Sequence, residues 1–289
     1  MTVQLLLGSL IVGIINGAFY AVLSLGLSIT FGVLRIANFT HGANYMTGAF
    51  IAWMAMHYLG LGYWWALFLA PLAVGLFSIA FERLLLRRMY PLHHLYGLLL
   101  TLGLSLILEG VFLNAYGAGG LPYPVPDNLR GAINLGFIMM PNYRLWVIAV
   151  SLMICGLTWF VVERTRIGSY LRAATENPMM VGALGVNVPL LLTVTYAASA
   201  ALAALAGVLA VPLYSANPLM GGDILIVIFA IVVIGGLGSL TGSIVTAFGI
   251  GVFEAMASLV YPQASSISVF VLMIIVLLIR PLGLFGKAY

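Results

Sequence analysis

The sequence predicts an all-α polytopic membrane protein, and three observations lead to this fold class. Of the 289 residues, 63% are hydrophobic and only 6% are charged, whereas a soluble domain carries about 25% charged residues. The mean hydropathy is +1.18. Apolar stretches recur along the chain, and most approach the roughly 20 residues that a helix needs to cross a bilayer. Because 11 basic and 7 acidic side chains cannot cover a soluble surface of this size, lipid is the expected solvent.

The apolar stretches define nine candidate helices in a single transmembrane domain that covers residues 1–289. Their approximate limits are 5–34, 43–59, 64–86, 95–116, 145–162, 189–211, 224–234, 241–260 and 267–279. The first is too long for one straight crossing, and 224–234 is too short for one. We therefore predict about eight to nine transmembrane segments, some of them broken or re-entrant.

The distribution of Arg and Lys predicts the orientation in the cytoplasmic (inner) membrane. With nine crossings and the N-terminus outside, only Arg130 and Arg144 of the 11 basic residues lie outside. The inside residues are Arg35, Arg83, Arg87, Arg88, Arg164, Arg166, Arg172, Arg280 and Lys287. This asymmetry satisfies the positive-inside rule and places the C-terminus inside. The basic residues are scattered at segment ends and form no basic face, so nucleic acid is not an expected partner.

Two connections hold most of the polar sequence. The predicted external loop, 117–143, is rich in Gly and Pro, as expected of a surface connection. The predicted internal loop, 163–188, contains helix-forming stretches and an organised charge pattern. The two loops therefore differ in character, and the internal one is expected to be ordered.

A repeated pattern links the two halves of the chain. Residues 31–36 followed by 49–50 resemble residues 229–234 followed by 247–248 at the same offset. In the predicted topology the two halves enter the membrane from opposite sides. This is the geometry of an inverted repeat, which places a transport pathway near the membrane midplane.

A polar stretch separates the first two apolar segments, at residues 35–44. It contains Asn38, His41 and Asn44. Polar, non-helical backbone at membrane depth is tolerated only inside protein or beside a water-filled cavity. These three side chains are therefore candidates to line a translocation pathway or to brace a re-entrant turn. An ordinary cytoplasmic turn is the alternative.

A glycine-rich stretch occupies the corresponding place in the second half, Gly235-Gly-Leu-Gly-Ser-Leu-Thr-Gly242. Four glycines in eight residues disfavour a continuous helix. The stretch lacks the Gly-Lys-Ser/Thr ending of a phosphate-binding loop. We predict a broken or re-entrant segment that acts as a hinge or gate. Its candidate residues are Gly235, Gly236, Gly238 and Thr241.

Two carboxylates, Glu109 and Glu254, lie inside apolar segments. An acidic group in a bilayer is costly, so each invites a functional hypothesis such as proton coupling. A neutral or hydrogen-bonded structural glutamate is the alternative, and we favour it. Neither residue has a basic neighbour in the sequence that would decide the question.

The internal loop contains a short helical pattern with an apolar face. Pro178 can begin this helix and Gly185 can end it. The face consists of Met179, Met180, Ala183 and Leu184. An exposed apolar face in a cytoplasmic loop needs a partner. The helix therefore lies on the membrane surface or inserts into a groove of another protein.

Several stretches in their order and spacing make the chain resemble the permeases of branched-chain amino-acid ABC importers, of the LivH type. The stretches are Gly17-Ala-Phe-Tyr-Ala-Val-Leu-Ser-Leu-Gly-Leu, Phe31-Gly-Val-Leu-Arg-Ile-Ala-Asn-Phe-Thr-His-Gly42, Thr101-Leu-Gly-Leu-Ser-Leu-Ile-Leu-Glu109, the internal loop and residues 235–242. The resemblance runs through nearly the whole chain. It implies a permease that works by ATP-driven alternating access.

The resemblance also implies the partners. They are a second related permease or a second copy, two cytoplasmic ATPases, an external solute-binding protein and the membrane lipid. The internal loop is then the coupling helix that docks on an ATPase, at about residues 173–185. Its residues in this sequence are Arg172, Ala173, Glu176, Asn177, Met179, Met180, Ala183, Leu184 and Gly185.

The resemblance assigns ATP and Mg to the ATPase partners and no cofactor to this chain. The only lysine, Lys287, stands in Gly-Lys-Ala, so the chain lacks the lysine of an ATPase phosphate loop and is not expected to be an enzyme. Similar permeases serve branched-chain amino acids, other amino acids, or urea and short amides, and the sequence does not choose the solute.

Two other function classes remain open from the residues. Broken segments and membrane carboxylates also suit an ion-coupled secondary transporter or a channel. An intramembrane enzyme would need a convergent catalytic set. The four histidines show no metal-ligand or catalytic spacing, and the lone Cys155 excludes a cysteine-based metal site, so no metal is expected.

Overall fold

The computed structural model describes residues 3–34, 37–134, 136 and 139–286, and these ranges form an almost entirely helical protein. Within them, the helices are α1 (Val3–Leu34), α2 (Thr40–Leu59), α3 (Tyr63–Leu84), α4 (His94–Tyr116), α5 (Asn142–Arg164), α6 (Arg166–Glu176), α7 (Pro178–Ala183), α8 (Val188–Tyr214), α9 (Met220–Gly235), α10 (Leu240–Val260) and α11 (Ser265–Ile279). Each of the nine predicted apolar segments corresponds to one helix. The predicted all-α class is confirmed.

Six stretches of the described chain are long and apolar enough to cross a membrane. They are Gln4–Leu34, Tyr63–Met89, His94–Tyr116, Asn142–Arg164, Val188–Tyr214 and Leu240–Val260. Helices α9 and α11 are apolar but shorter, and α2 begins with the polar residues Thr40, His41 and Asn44. The protein is thus a multi-pass membrane protein, and the number of eight to nine crossings stays a prediction.

The helix ends follow from local sequence. Gly60 adopts a left-handed conformation (φ 65°) that ends α2. The side chains of Asn177, Asn187 and Ser239 each accept a hydrogen bond from a backbone N–H of the first turn of α7, α8 and α10, respectively. Pro178 stands in the first turn of α7, where its missing N–H costs nothing.

The predicted external loop contains a small antiparallel hairpin. Strands β1 (Ala132–Asn134) and β2 (Met139–Pro141) pair so that Ile133 faces Met140. Helix α5 begins at Asn142, so the last two residues of the predicted 117–143 loop are helical. Likewise, residues 163, 164 and 188 of the predicted internal loop belong to α5 and α8.

The chain divides into two compact units. The first comprises the described residues of Met1–Leu25, Val125–Leu157 and Val227–Tyr289, and the second comprises Gly26–Pro124 and Thr158–Ile226. The single domain over 1–289 stays a prediction.

The first unit is built on close contact between α1 and α10. A Cβ atom added to Gly13 would lie 2.5 Å from Val252 Cα, and one on Gly17 would lie 2.8 Å from Phe248 Cα. Small residues allow two membrane helices to approach at their backbones, where packing replaces the hydrophobic effect as the source of stability.

The second unit has a core of α2, α3 and α8. Val74, Ala200 and Ala204 are fully or almost fully buried where α3 meets α8. Gly48 on α2 lies against the backbone of Ala204, and Gly207 on α8 lies against that of Tyr45. The second unit carries both the polar break after α1 and the α6–α7 loop.

Candidate coupling and translocation sites

The predicted coupling segment consists of two helices. Helix α6 ends at Glu176, Asn177 forms the break, and α7 runs through Pro178–Ala183. Gly185, with φ 85°, ends the turn that follows. The beginning at Pro178 and the end near Gly185 agree with the prediction, whereas the sequence did not indicate α6 as a separate helix.

One side of helix α7 packs against neighbouring helices, and the other side is exposed. Val181 is buried in a cluster with Ala174 of α6 and Val188 at the start of α8. Met179, Met180 and Leu184 are 85%, 65% and 79% exposed. Ala173, Glu176, Asn177 and Ala183 are also exposed. The loop therefore exposes thioether and aliphatic groups on a helix whose opposite side is packed. The role of these groups in coupling stays a prediction.

Arg172 holds the loop to the end of α5. Its Nη1 donates to the carbonyl of Val162 at 2.9 Å and lies 3.5 Å from Glu163 Oε2. Gly168 packs on the same carbonyl so closely that an added Cβ would lie 1.6 Å from it. Arg172 is thus a positioning residue of α6, in addition to its predicted place in the docking segment.

The three polar residues of the predicted break are buried, but only Asn38 precedes α2, whereas His41 and Asn44 lie in its first turns. The non-helical backbone predicted for 35–44 is therefore wrong for residues 40–44. Asn38, His41 and Asn44 are at most 3% exposed. Asn38 Oδ1 accepts hydrogen bonds from the backbone N–H of Thr40 at 3.2 Å and from its hydroxyl at 2.5 Å. The Thr40 hydroxyl also lies 3.0 Å from the hydroxyl of Tyr196 on α8. Arg35, predicted to lie inside, falls outside the described residues, as does Lys287.

One amide group in the first turns of α2 has an unused donor. The Nδ2 atom of Asn44 is buried and has no hydrogen-bond partner in the described part of the chain. Buried donors of this kind need an acceptor, such as an ordered water or a polar solute group. The hydrogen bonds of Asn38 to Thr40 and to the Tyr196 hydroxyl support the brace interpretation, and the free donor of Asn44 leaves the pathway interpretation open.

The glycine-rich stretch is a tight turn between α9 and α10. Gly236 (φ 101°) and Gly238 (φ 80°) have left-handed backbones. Gly235 lies against Gly242, with an added Cβ only 2.7 Å from its carbonyl carbon. Thr241 is exposed. The broken segment is confirmed, and its function as a gate stays a prediction.

The C-terminal segment completes this turn, which the sequence did not indicate. The N–H groups of Leu284 and Phe285 donate to the carbonyls of Ile234 and Gly235 at 2.8 and 3.1 Å. These carbonyls would otherwise be orphaned at the end of α9. Gly283 packs on Gly236, where an added Cβ would lie 2.6 Å from its nitrogen. Movement of the turn would therefore carry residues 283–286 with it.

The sequence profile of the family described as "Branched-chain amino acid transport system / permease component" matches residues 9–279. The chain belongs to this family. Among curated relatives, it is 30% identical to the high-affinity branched-chain amino acid transport system permease protein BraD of Pseudomonas aeruginosa, over 97% of this chain and 96% of BraD. No solved structure matches the chain.

Two further relatives of this permease carry related names. The permease protein LivH of Escherichia coli is 28% identical over 95% of this chain and 94% of its own. The permease protein LivM of Salmonella typhimurium is 28% identical over 92% of this chain and 67% of its own. The predicted resemblance to LivH-type permeases is confirmed, and these relatives are named as permease components rather than as enzymes.

The two predicted membrane carboxylates of the permease have different surroundings. The hydroxyl of Tyr20 donates to Glu254 Oε2 at 2.8 Å, which supports the structural interpretation of Glu254. Glu109 is only partly buried on α4, and the described residues give it no hydrogen bond or ion pair. The structure thus accounts for Glu254 but not for Glu109.

A third carboxylate, Glu82, is the most enclosed of all, and the sequence did not single it out. It is completely buried near the end of α3 and pairs with Arg87. The only sequence signal is a glutamate followed five residues later by an arginine at the end of an apolar segment. That spacing is too common to predict a buried ion pair.

Proposed function

We propose that this chain is the membrane-spanning permease subunit of a binding-protein-dependent ABC importer in the inner membrane. The solutes are branched-chain amino acids or related amino acids, in line with the names of the relatives. The observation that carries the proposal is the exposed apolar face of α7, which is fixed from behind by Val181. Such a face suits the groove of a helix-binding partner.

The partner at this face is a cytoplasmic ATPase, which holds the ATP and Mg²⁺ of the transport cycle. This chain contributes no lysine outside Lys287 and therefore no phosphate loop of the Gly-Lys-Ser/Thr type. Two ATPases, a second permease and an external binding protein complete the importer. The N-terminus lies outside and the C-terminus inside.

The solute pathway runs beside the break after α1. Close to Asn38 in the chain, the buried Nδ2 group of Asn44 has no hydrogen-bond partner among the described residues and can donate to the carboxylate of a passing solute. His41 lies in the same buried stretch, and the turn at Gly235, Gly236, Gly238 and Thr241 is the corresponding gate of the second half. No covalent chemistry is required of these residues.

Introducing charge on the face of α7 is expected to separate the permease from its motor. In the double variant Met180→Asp, Leu184→Asp, docking of the ATPase would bury the two introduced carboxylates without a hydrogen-bond or charge partner. We expect ATPase co-purification and solute-stimulated ATP hydrolysis in lipid nanodiscs to fall about 30-fold or more, since central interface contacts are worth about 2 kcal/mol or more.

The double variant Ile133→Asp, Met139→Asp is the matched control, because it adds the same two charges at exposed apolar side chains of the β1–β2 hairpin. It should leave ATPase binding unchanged. If the wild-type chain binds no ATPase and moves solute alone in liposomes, the proposal is wrong, and an ion-coupled transporter or channel takes its place.

A further inference from the structure

The carboxylate of Glu82 is the buried centre of a hydrogen-bond cluster in the second unit, whose arginine, Arg87, is 37% exposed. Its Oε1 accepts from Arg87 Nε at 3.3 Å and from the Tyr90 hydroxyl at 3.1 Å. Its Oε2 accepts from Arg87 Nη2 at 3.3 Å and lies 2.7 Å from the hydroxyl of Thr193 on α8. Four contacts thus surround the carboxylate of this fully buried acid, and the Thr193 hydroxyl is shared with the carbonyl of Pro189 in its own helix at 2.9 Å.

Arg87 connects this carboxylate to the start of α8. Its Nη2 donates to the Thr193 hydroxyl at 2.5 Å and to the carbonyl of Pro189 at 3.1 Å. Pro189 follows Val188, whose side chain packs against Val181 of α7. About one and a half helical turns of α8 therefore separate Val188, which contacts α7, from Thr193, which contacts Glu82.

The chemistry of the cluster is better suited to fixing the relative position of α3 and α8 than to stabilising the fold. Burying a carboxylate is costly, and apolar residues of similar volume often stabilise a protein equally well. A bidentate arginine fixes the direction of its partner as well as the distance. Burial, followed by the charge of Glu82, raises the pKa of the Tyr90 hydroxyl, so Tyr90 remains protonated and can donate.

The contacts of α7 lead to α5 through α6, and to α3 through the start of α8. The cluster on the inner side of α7, Ala174, Val181 and Val188, is apolar and non-directional. The hydrogen bonds of Arg87 to Pro189 and Thr193, in contrast, fix the orientation of the contact with α8. Glu82, which Arg87 also binds, lies in the last turn of α3. A displacement of α7 that moves the start of α8 must therefore displace the end of α3 or break these bonds.

We propose that the Glu82–Arg87–Thr193 cluster transmits the movement of the coupling loop to α3, with Glu82 and Thr193 as positioning residues of the transport cycle. This inference rests on the proposed function, because it requires that α7 is moved by an ATPase. It goes beyond that function by naming the path along which the movement enters the membrane.

The test is the amount of solute transported per ATP hydrolysed by the complete importer in liposomes. Thr193→Val retains the shape of the side chain and the Glu82–Arg87 pair but removes the hydroxyl link to α8. We expect ATPase binding and basal hydrolysis to be retained, while transport per ATP falls about tenfold, in line with loss of a hydrogen bond to a charged group.

Thr195→Val is the matched control, because the Thr195 hydroxyl is also largely buried but, among the described residues, bonds only to the carbonyl of Leu191 in its own helix. Its transport per ATP should equal that of the wild type. If Thr193→Val fails to assemble, Arg87→Lys carries the test, since a single ammonium cannot hold Glu82, Thr193 and Pro189 in the same planar arrangement.

A purely stabilising cluster would give a different result. Both Thr193→Val and Arg87→Lys would then lower the thermal midpoint and leave transport per ATP unchanged, which would overturn the inference. Retained ATPase binding in the Met180→Asp, Leu184→Asp variant would instead contradict the proposed function itself. The two failures are therefore distinguishable.

Discussion

Replacing Gly207 by alanine is expected to destabilise the contact between α2 and α8 strongly. An added Cβ would lie 2.0 Å from the carbonyl oxygen of Tyr45 and 2.9 Å from the nitrogen of Ala49. Both are backbone atoms inside α2, so neither can rotate away. Gly48 makes the reciprocal contact, with an added Cβ 2.3 Å from the carbonyl oxygen of Ala204. Helices α2 and α8 would have to move apart along their crossing.

The expected cost is about 3 kcal/mol, the upper end of the usual penalty for overpacking, because backbone rather than side chains must shift. The thermal midpoint of the detergent-solubilised protein, followed by circular dichroism, should fall clearly. Gly75→Ala on α3 is the control, since its nearest neighbours, Ala197 and Ala201 on α8, are at an ordinary 3.8 Å. Equal midpoints for the two variants would refute the close packing of α2 on α8.

Gly168→Ala is expected to disable the coupling loop while most of the membrane part remains folded. An added Cβ would lie 1.6 Å from the carbonyl oxygen of Val162, the same atom that accepts from Arg172. Helix α6 would have to leave the end of α5, and α7 would move with it because Val181 packs on Ala174. We expect ATPase co-purification to fall about tenfold or more, with a small change in thermal midpoint.

Gly182→Ala is the matched control for this change. Gly182 lies in α7 of the same loop, and nothing stands within 4 Å of an added Cβ. Alanine is also the better helix former by up to about 1 kcal/mol. This variant should bind the ATPase normally. Normal ATPase binding by the Gly168→Ala variant would mean that the packing of α6 on the end of α5 does not affect docking of the ATPase.

The helices could be predicted from the sequence because hydropathy reports each segment's preferred solvent. All nine apolar segments form helices, and α7 begins at Pro178 as local capping rules require. The polar break at Asn38, His41 and Asn44 was also visible, because its residues are rare in an apolar setting. These are local signals that need no knowledge of the neighbours.

The contacts that position the sites could not be predicted, since they join residues far apart in the chain. Glu82 and Thr193 are 111 positions apart, and nothing in an apolar sequence marks their pairing. Glu82 and Glu109 are both single glutamates in apolar segments, yet only Glu82 is fully enclosed. The packing of residues 283–286 on the turn at Gly236 likewise depends on the close contact between Gly236 and Gly283, which no local sequence pattern indicates.

The docking of α7 on an ATPase is tested most directly by photocrosslinking from residue 180. Cys155, the only cysteine, is buried and can be replaced by alanine, so that Met180→Cys carries a single photoactivatable label. Met153→Cys on α5, where the methionine is 66% exposed against 65% for Met180, is the control. We expect an adduct with the ATPase subunit from residue 180 in membranes and none from residue 153. No adduct from residue 180, or equal adducts from both, would contradict the assignment of α7 as the coupling helix.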